Sequence, residues 1–444
     1  MTTMTLDTAS RLLAGPAGAP SSPDLATHLA IHGTLEVPGR DDRRWRSGMW
    51  QAVSESGLLG RGGAGFPSGA KWDAMRRSGR RPMVVVNAME GEPASAKDRV
   101  LLTYSPHLVI DGAEVAAAVV GASEVVICVA DHSGPAAAAL ETAITERHRA
   151  RRSPIRTSVV RPPGRYVTGE ESALVSWLNE RPARPVLRVD KSVPLRVGRR
   201  PAMVHNAETL AQVALIARHG PEWFRRQGTP EAPGSTLVTV GGAVRLPGVL
   251  EVELGTPVID ILDHAGLATA VSGVLVGGYG GAWLGPSRLD TPFAPGPLAA
   301  AGATLGVGIL IALPVGSCGI AETARIARYM AGESAGQCGP CVFGLPAIAG
   351  DLEQLWAGGA DRGLLDRIER RAATVEGRGA CRHPDGVVRL VRSALSVFAD
   401  DARAHADGRP CVGYVSPTVL SPSVGPTAPS GPAGGSTPTG RSAW

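Results

Sequence analysis

Three cysteines near the end of the chain carry the clearest chemical signal: Cys338-Gly339-Pro340-Cys341, followed at a distance by Cys381. Thiolates two residues apart on a turn can grip iron or zinc, and a third from a separate segment closes the site. Three readings fit these residues. The thiols hold a 4Fe-4S cluster with a fourth, non-cysteine ligand; they join His383, of Cys381-Arg382-His383, in a Cys3His zinc site; or the site is degenerate and binds no metal. Cys318 lies upstream and could reach in, Cys128 sits in an apolar run that reads as buried, and Cys411 falls beyond the last helical pattern.

A second constellation is the loop Gly60-Arg61-Gly62-Gly63-Ala64-Gly65-Phe66. It fits the Gly-x-Gly-x-x-Gly dinucleotide fingerprint formally, but a helix-like segment precedes it where a strand should stand, so that fingerprint is rejected. The physics survives the rejection: a glycine run lets backbone N–H groups approach a phosphate or a flat ring, and Lys71 supplies a point charge. The plainer reading is a tight turn made for packing. Asn87-Ala88-Met89-Glu90-Gly91-Glu92 closes an apolar strand, where ligands of open α/β sheets bind, and it equally suits an acidic loop capping the next helix. Gly169-Glu170-Glu171 opens a helix with the same two readings, because carboxylates also complement a helix N-terminus.

The elements that must position these residues alternate in type. Trp50–Leu58 reads as a short helix, Met83–Ala88 as a buried strand, Pro106–Val120 as a helix, Glu124–Ala130 as a strand, Gly134–Arg149 as a helix and Thr157–Arg161 as a strand. Such alternation implies a partly parallel sheet covered by helices, an α/β fold. Val204–Ala217 reads as a further helix. Leu237–Val240 and Val249–Val252 read as a hairpin, Thr256–His264 as a short helix and Val274–Gly281 as a strand, together a small β-grasp-like module. Beyond about Ala300 the pattern is helical to about Ala406. The division expected is a lead-in over 1–50, an α/β domain over 51–233, the β-grasp-like module over 234–300, a helical domain over 301–406 and a disordered tail over 407–444.

The chain has 444 residues, 45 cationic and 40 acidic, with 43% hydrophobic and only 4% aromatic residues. The arginines are scattered, which describes a solvated surface and not a nucleic-acid footprint. No window approaches the length of apolar residues that spans a bilayer, and no secretory signal opens the chain, so a soluble cytoplasmic protein with no direct membrane insertion is expected. Lysine occurs only at Lys71, Lys97 and Lys191, and asparagine only at Asn87, Asn179 and Asn206. In a chain that writes almost every cation as Arg, a Lys marks a place that wants a compact ammonium.

Taken in order, GRGGAGFPSGAKW (Gly60–Trp72), NAMEGEPASAKDR (Asn87–Arg99), YVTGEESAL (Tyr166–Leu174), HNAETL (His205–Leu210), GAVRLPGVLEVELGT (Gly242–Thr256) and ESAGQCGPCVFG (Glu333–Gly344) with Cys381 resemble the NADH-binding flavoprotein subunit of respiratory complex I and its relatives in NAD-reducing hydrogenases and formate dehydrogenases. The resemblance covers about residues 50–400. It implies a Rossmann-like FMN-binding domain, an SLBB module and a helical iron–sulfur domain. It further implies FMN held by Gly60, Arg61, Gly62, Gly63, Ala64, Gly65, Phe66, Lys71, Asn87, Glu90, Gly169, Glu170, Glu171, Asn206 and Thr209, with Glu92 and Glu170 beside the nicotinamide of NAD(H). Cys338, Cys341 and Cys381 would ligate a 4Fe-4S cluster. The implied partners are a thioredoxin-like 2Fe-2S subunit and a larger dehydrogenase or hydrogenase complex.

Departures from the family pattern are specific. Met89 stands where an Asp flavin ligand is usual, His205 where Asn is usual, and Ala335 where the first cysteine is usual. Ala74 replaces an aromatic after Lys71-Trp72, and Leu187–Val197 lacks a second ring. Two lost stacking partners at about 1 kcal/mol each weaken NADH binding by about an order of magnitude or more. The rival readings are a non-catalytic scaffold homologue and a flavin diaphorase with a protein electron donor.

Overall fold

A computed structural model of the chain describes residues 2–413, apart from 6–9, 15–22, 39–41, 79–80, 152–154, 189, 191–192, 359–360, 362, 410 and 412. Most of the expected tail, from 414 onward, lies outside the described residues. The chain starts with a short strand, β1 (Thr2–Thr5).

The first sheet is built from β2 (Met83–Ala88), β3 (Glu124–Val129), β4 (Arg156–Val160), β5 (Arg196–Val197) and β6 (Arg200–Asn206), in the order β4-β3-β2-β6-β5. β2, β3, β4 and β6 are parallel, and β5 adds an antiparallel edge. The helix Pro106–Val120 is buried along its whole length, as its alanines and valines require, and packs on the helix Ala207–His219. Gly112 makes that approach close: a Cβ there would stand 1.7 Å from the Leu210 carbonyl oxygen.

The expected helix Val204–Ala217 begins three residues later. Val204, His205 and Asn206 end β6, and Asn206 caps the helix by accepting the Glu208 N–H at 3.0 Å. A short apolar run buried on both faces has no period to separate strand from helix.

The second sheet contains β7 (Ser235–Gly242), β8 (Gly248–Glu253), β9 (Val271–Val276), β10 (Ala282–Leu284) and β11 (Ile309–Pro314), with order β1-β8-β7-β11-β9-β10. β7 and β8 form the expected antiparallel hairpin. β11 corrects the expectation of helix from Ala300 onward: it is inserted between β7 and β9, so this sheet extends past the 234–300 boundary. The lead-in contributes too, since β1 lies parallel to β8 and the helix Arg43–Glu55 starts well before Trp50. After β11 the chain is helical, with Gly319–Gly332, Leu345–Trp356, Gly363–Val375, His383–Val397 and Ala399–Ala406 around one apolar core. No helix among the described residues is long and apolar enough to cross a membrane.

Candidate flavin and iron–sulfur sites

The glycine loop lies over the carboxyl ends of β2 and β6, where Asn87 and Asn206 are register partners. The Gly60 N–H donates to the Phe66 carbonyl at 2.9 Å, closing the loop, and the Arg61 N–H donates to Thr209 Oγ1 at 2.9 Å, anchoring it to the helix below. Gly62 stands against Asn206, where a Cβ would be 3.2 Å from the asparagine Cβ. Gly63 and Gly65 have φ of 96° and 62°, and a Cβ at Gly65 would meet nothing within 4 Å. Residues Gly62 to Phe66 are exposed, the Phe66 ring 56% so. An open, turned backbone with a flat ring at its rim fits a phosphate-bearing flavin.

Lys71 and Asn87 border this cradle. Lys71 Nζ donates to Glu171 Oε1 at 2.8 Å and to the Val204 carbonyl at 2.6 Å, and Asn87 Nδ2 donates to the Gly169 carbonyl at 2.8 Å. The Arg61 guanidinium, in contrast, is buried and donates to the Ser235 carbonyl at 3.0 Å, tying the loop to β7.

Glu90 and Glu170 follow the capping reading. Glu90 has φ of 42°, and its carboxylate accepts the Asp98 N–H at 2.8 Å, the Arg99 N–H at 3.1 Å and the Ser95 hydroxyl at 2.9 Å, so it caps the helix Lys97–Tyr104. Glu170 caps the helix Glu171–Leu178, accepting the N–H groups of Ser172 at 2.9 Å and Ala173 at 2.8 Å. Glu92 is buried, and its Oε2 accepts the Tyr279 N–H at 2.9 Å. Burial pushes its carboxyl up to about 7, which the Tyr279 and Ala94 amides and the Tyr166 hydroxyl only partly offset.

Two departures are accounted for. Met89 is buried with Val85, Leu174 and Val175, and packs beneath Gly169. It fills the core under the helix Glu171–Leu178. His205 is buried and takes the Trp72 indole N–H on Nε2 at 3.0 Å; burial, then Lys71, hold its pKa well below the ordinary value, so it is a neutral packing acceptor.

Cys338, Cys341 and Cys381 line one pocket with Ala335, Val167, Pro185 and His383. Burial pushes the Cys341 thiol up to about 12, with Cys381 and Cys338 adding to the shift, so ionisation there requires a cation. Among the described residues, the one set of His, Cys and carboxylate ligand atoms mutually within 4.8 Å lies elsewhere. The soft donors of the three thiols suit a multi-iron cluster. His383 Nε2 lies 2.8 Å from the Met330 carbonyl, while its buried Nδ1 has no hydrogen-bond partner.

Several residues of the cradle wall escape sequence reasoning. Gly306 and Val307 approach Gly63, Gly277 packs on Gly306, and Gly278 packs on the Glu92 carboxylate. The run Gly277-Gly278-Tyr279-Gly280-Gly281 is the available signal, but in sequence it reads as the end of a strand.

The Nuo51 FMN-binding domain model matches residues 53–215, the SLBB domain model 237–271 and the NADH-ubiquinone oxidoreductase-F iron-sulfur binding region 321–405. An NADH-quinone oxidoreductase-F protein of Rhizobium meliloti is 31% identical over 375 residues, covering 81% of this chain and 89% of that protein. The corresponding protein of Streptomyces coelicolor is 32% identical over 372 residues, covering 81% and 83%. A solved NAD+-reducing NiFe-hydrogenase in the air-oxidized state superposes with a TM-score of 0.75 at 32% identity, covering 83% of this chain. The chain spans 64% of the length of that hydrogenase chain. With its FMN-binding, SLBB and 4Fe-4S regions in this order, the chain belongs to the NADH-quinone oxidoreductase-F family of electron-transfer oxidoreductase subunits.

Proposed function

We propose that this protein accepts hydride from NADH at the Gly60–Phe66 cradle and delivers single electrons to the Cys338, Cys341 and Cys381 pocket. Bound FMN supplies the conversion from two-electron to one-electron chemistry, and a 4Fe-4S cluster supplies the outgoing carrier. The observation that carries this reading is the turn Tyr166–Gly169. Gly169 accepts from Asn87 at the cradle, while Val167, two residues away, lines the cysteine pocket. A 3-10 turn rises about 2 Å per residue, so the two sites are neighbours. The Glu170 charge is also felt at Cys381, whose thiol is raised first by burial.

The chain's residues have separable tasks. Loop amides from Gly62 to Gly65 bind the flavin's phosphate or ring edge, with Phe66 at the rim and Lys71, fixed by Glu171 and Val204, as the compact cation. Asn87, Asn206 and Thr209 set the floor. Glu90 and Glu170 position it through the helices they cap, and the raised carboxyl of Glu92 keeps its proton close to neutrality. Cys338, Cys341 and Cys381 hold the cluster, with His383 Nδ1 as the fourth donor. The partner reading is a thioredoxin-like 2Fe-2S subunit within a larger NADH dehydrogenase, hydrogenase or formate dehydrogenase type of complex, in the cytoplasm. Anaerobic purification tests this: a flavin band with a broad iron–sulfur shoulder that bleaches on NADH addition supports it, and a colourless protein refutes it.

A further inference from the structure

Cys318 and Cys411 stand together, away from the cysteine pocket. Cys318 is the N-cap of the helix Gly319–Gly332, its Sγ accepting the Ala321 N–H at 3.3 Å. That helix is about 20 Å long at 1.5 Å per residue, and Met330, whose carbonyl meets His383, lies near its other end. His405 belongs to the last helix, Ala399–Ala406, and its Nε2 is 3.4 Å from Cys318 Sγ. The ligand atoms of Cys318, His405 and Cys411 all fall within 4.8 Å of one another, with the residues 4%, 0% and 9% exposed. Gly413 is laid tightly against the same spot. A Cβ at Gly413 would stand 2.2 Å from the Cys318 backbone nitrogen, so only glycine fits.

We propose that Cys318, His405 and Cys411 form a structural site for one thiophilic divalent cation, zinc by its chemistry, that fastens the end of the helical region to the start of the helix Gly319–Gly332. Tetrahedral zinc, with Zn–S near 2.3 Å and Zn–N near 2.0 Å, places sulfur and nitrogen about 3.5 Å apart, close to the Cys318–His405 separation. Two thiolates and a neutral imidazole cancel the ion's charge, which suits a site withdrawn from water. Loading forms two Zn–S bonds and one Zn–N bond, releases the two thiol protons to solvent and moves no electrons. Water completes the fourth position. Compactness separates this site from the wider cluster pocket, so the two metals are distinguishable.

The test is elemental analysis of the full chain purified anaerobically. The unmodified protein should carry one zinc per chain besides its iron. Cys338→Ala should lose iron and keep zinc, whereas Cys318→Ser and Cys411→Ser should lose zinc and keep iron. If both serine variants fail to fold, zinc stripped from Cys338→Ala and replaced by Co(II) should give thiolate-to-cobalt charge-transfer absorption. Absence of both zinc and cobalt uptake overturns the proposal. So does zinc that leaves with Cys338→Ala, or a mass lower by two hydrogens that reduction restores, the mark of a Cys318–Cys411 disulfide.

Discussion

The rings of Tyr166 and His383 meet edge to face, with 5.4 Å between centroids. Tyr166 also places its hydroxyl at the buried Glu92 carboxyl, and His383 lines the cysteine pocket. A packed path thus joins the acidic loop that closes β2 to the thiols. Replacing His383 by Leu removes the free Nδ1 and should leave flavin content unchanged while making the cluster labile. Iron per flavin after gel filtration in air checks this, and iron retention equal to wild type would assign His383 to packing alone.

Glu92 predicts a pH dependence of stability. Its carboxyl is raised by burial from 4.5 to about 7, so the folded chain keeps a proton that the unfolded chain has released. Stability from this group is present below pH 4.5 and is lost as pH rises through about 7. The full shift corresponds to about 3 kcal/mol. Glu92→Gln should flatten the fall in melting temperature across this window and melt higher than wild type above it. Differential scanning calorimetry of both proteins across the window decides.

NADH affinity should respond to a ring at position 74. Ala74 is exposed on the helix Ser68–Arg77, one turn from the cradle cation Lys71. Ala74→Tyr should lower the NADH dissociation constant about fivefold, the equivalent of about 1 kcal/mol for one aromatic stack. Flavin-quenching titrations measure it, and an unchanged constant would place the adenine elsewhere.

Lys97 is a fully enclosed ammonium, 2.8 Å from Asp98 Oδ1, 2.9 Å from Glu208 Oε2 and 3.3 Å from Asn206 Oδ1. Its pKa is raised because Asp98 and Glu208 outweigh the opposing effect of burial, which is the largest single influence. Lys97→Met takes the ammonium from the buried Asp98 and leaves Glu208 only the Arg61 guanidinium at 3.9 Å, and should cost about 3–5 kcal/mol. Adding Glu208→Gln should restore part of the loss, by urea denaturation; a purely additive double variant would contradict this coupling.

Local signals make part of this molecule legible in the sequence. The helices Pro106–Val120 and Gly134–Arg149 have the predicted limits because Pro or Gly marks their starts, and Gly121 ends the first in the left-handed conformation. β11 and the end of β6 escape because short runs buried on both faces carry no period. The pairing of β1 with β8 and the meeting of Cys318 with Cys411 are long-range events that local pattern does not encode. At the site, Glu90 and Glu170 are legible as residues but not in their task. A carboxylate that binds a ligand and one that caps a helix look alike in sequence, and here both serve as caps. The scarcity of lysine is informative at Lys97, where three acceptors converge on one compact ammonium.

Electrons taken from NADH at the cradle should reach the cysteine pocket within this one chain. Anaerobic NADH titration of the purified protein, followed by optical and EPR spectroscopy, tests it directly. Flavin should bleach first and the signal of a reduced cluster should follow, with bleaching alone in Cys338→Ala. Flavin that bleaches in the unmodified chain without any reduced-cluster signal would contradict it.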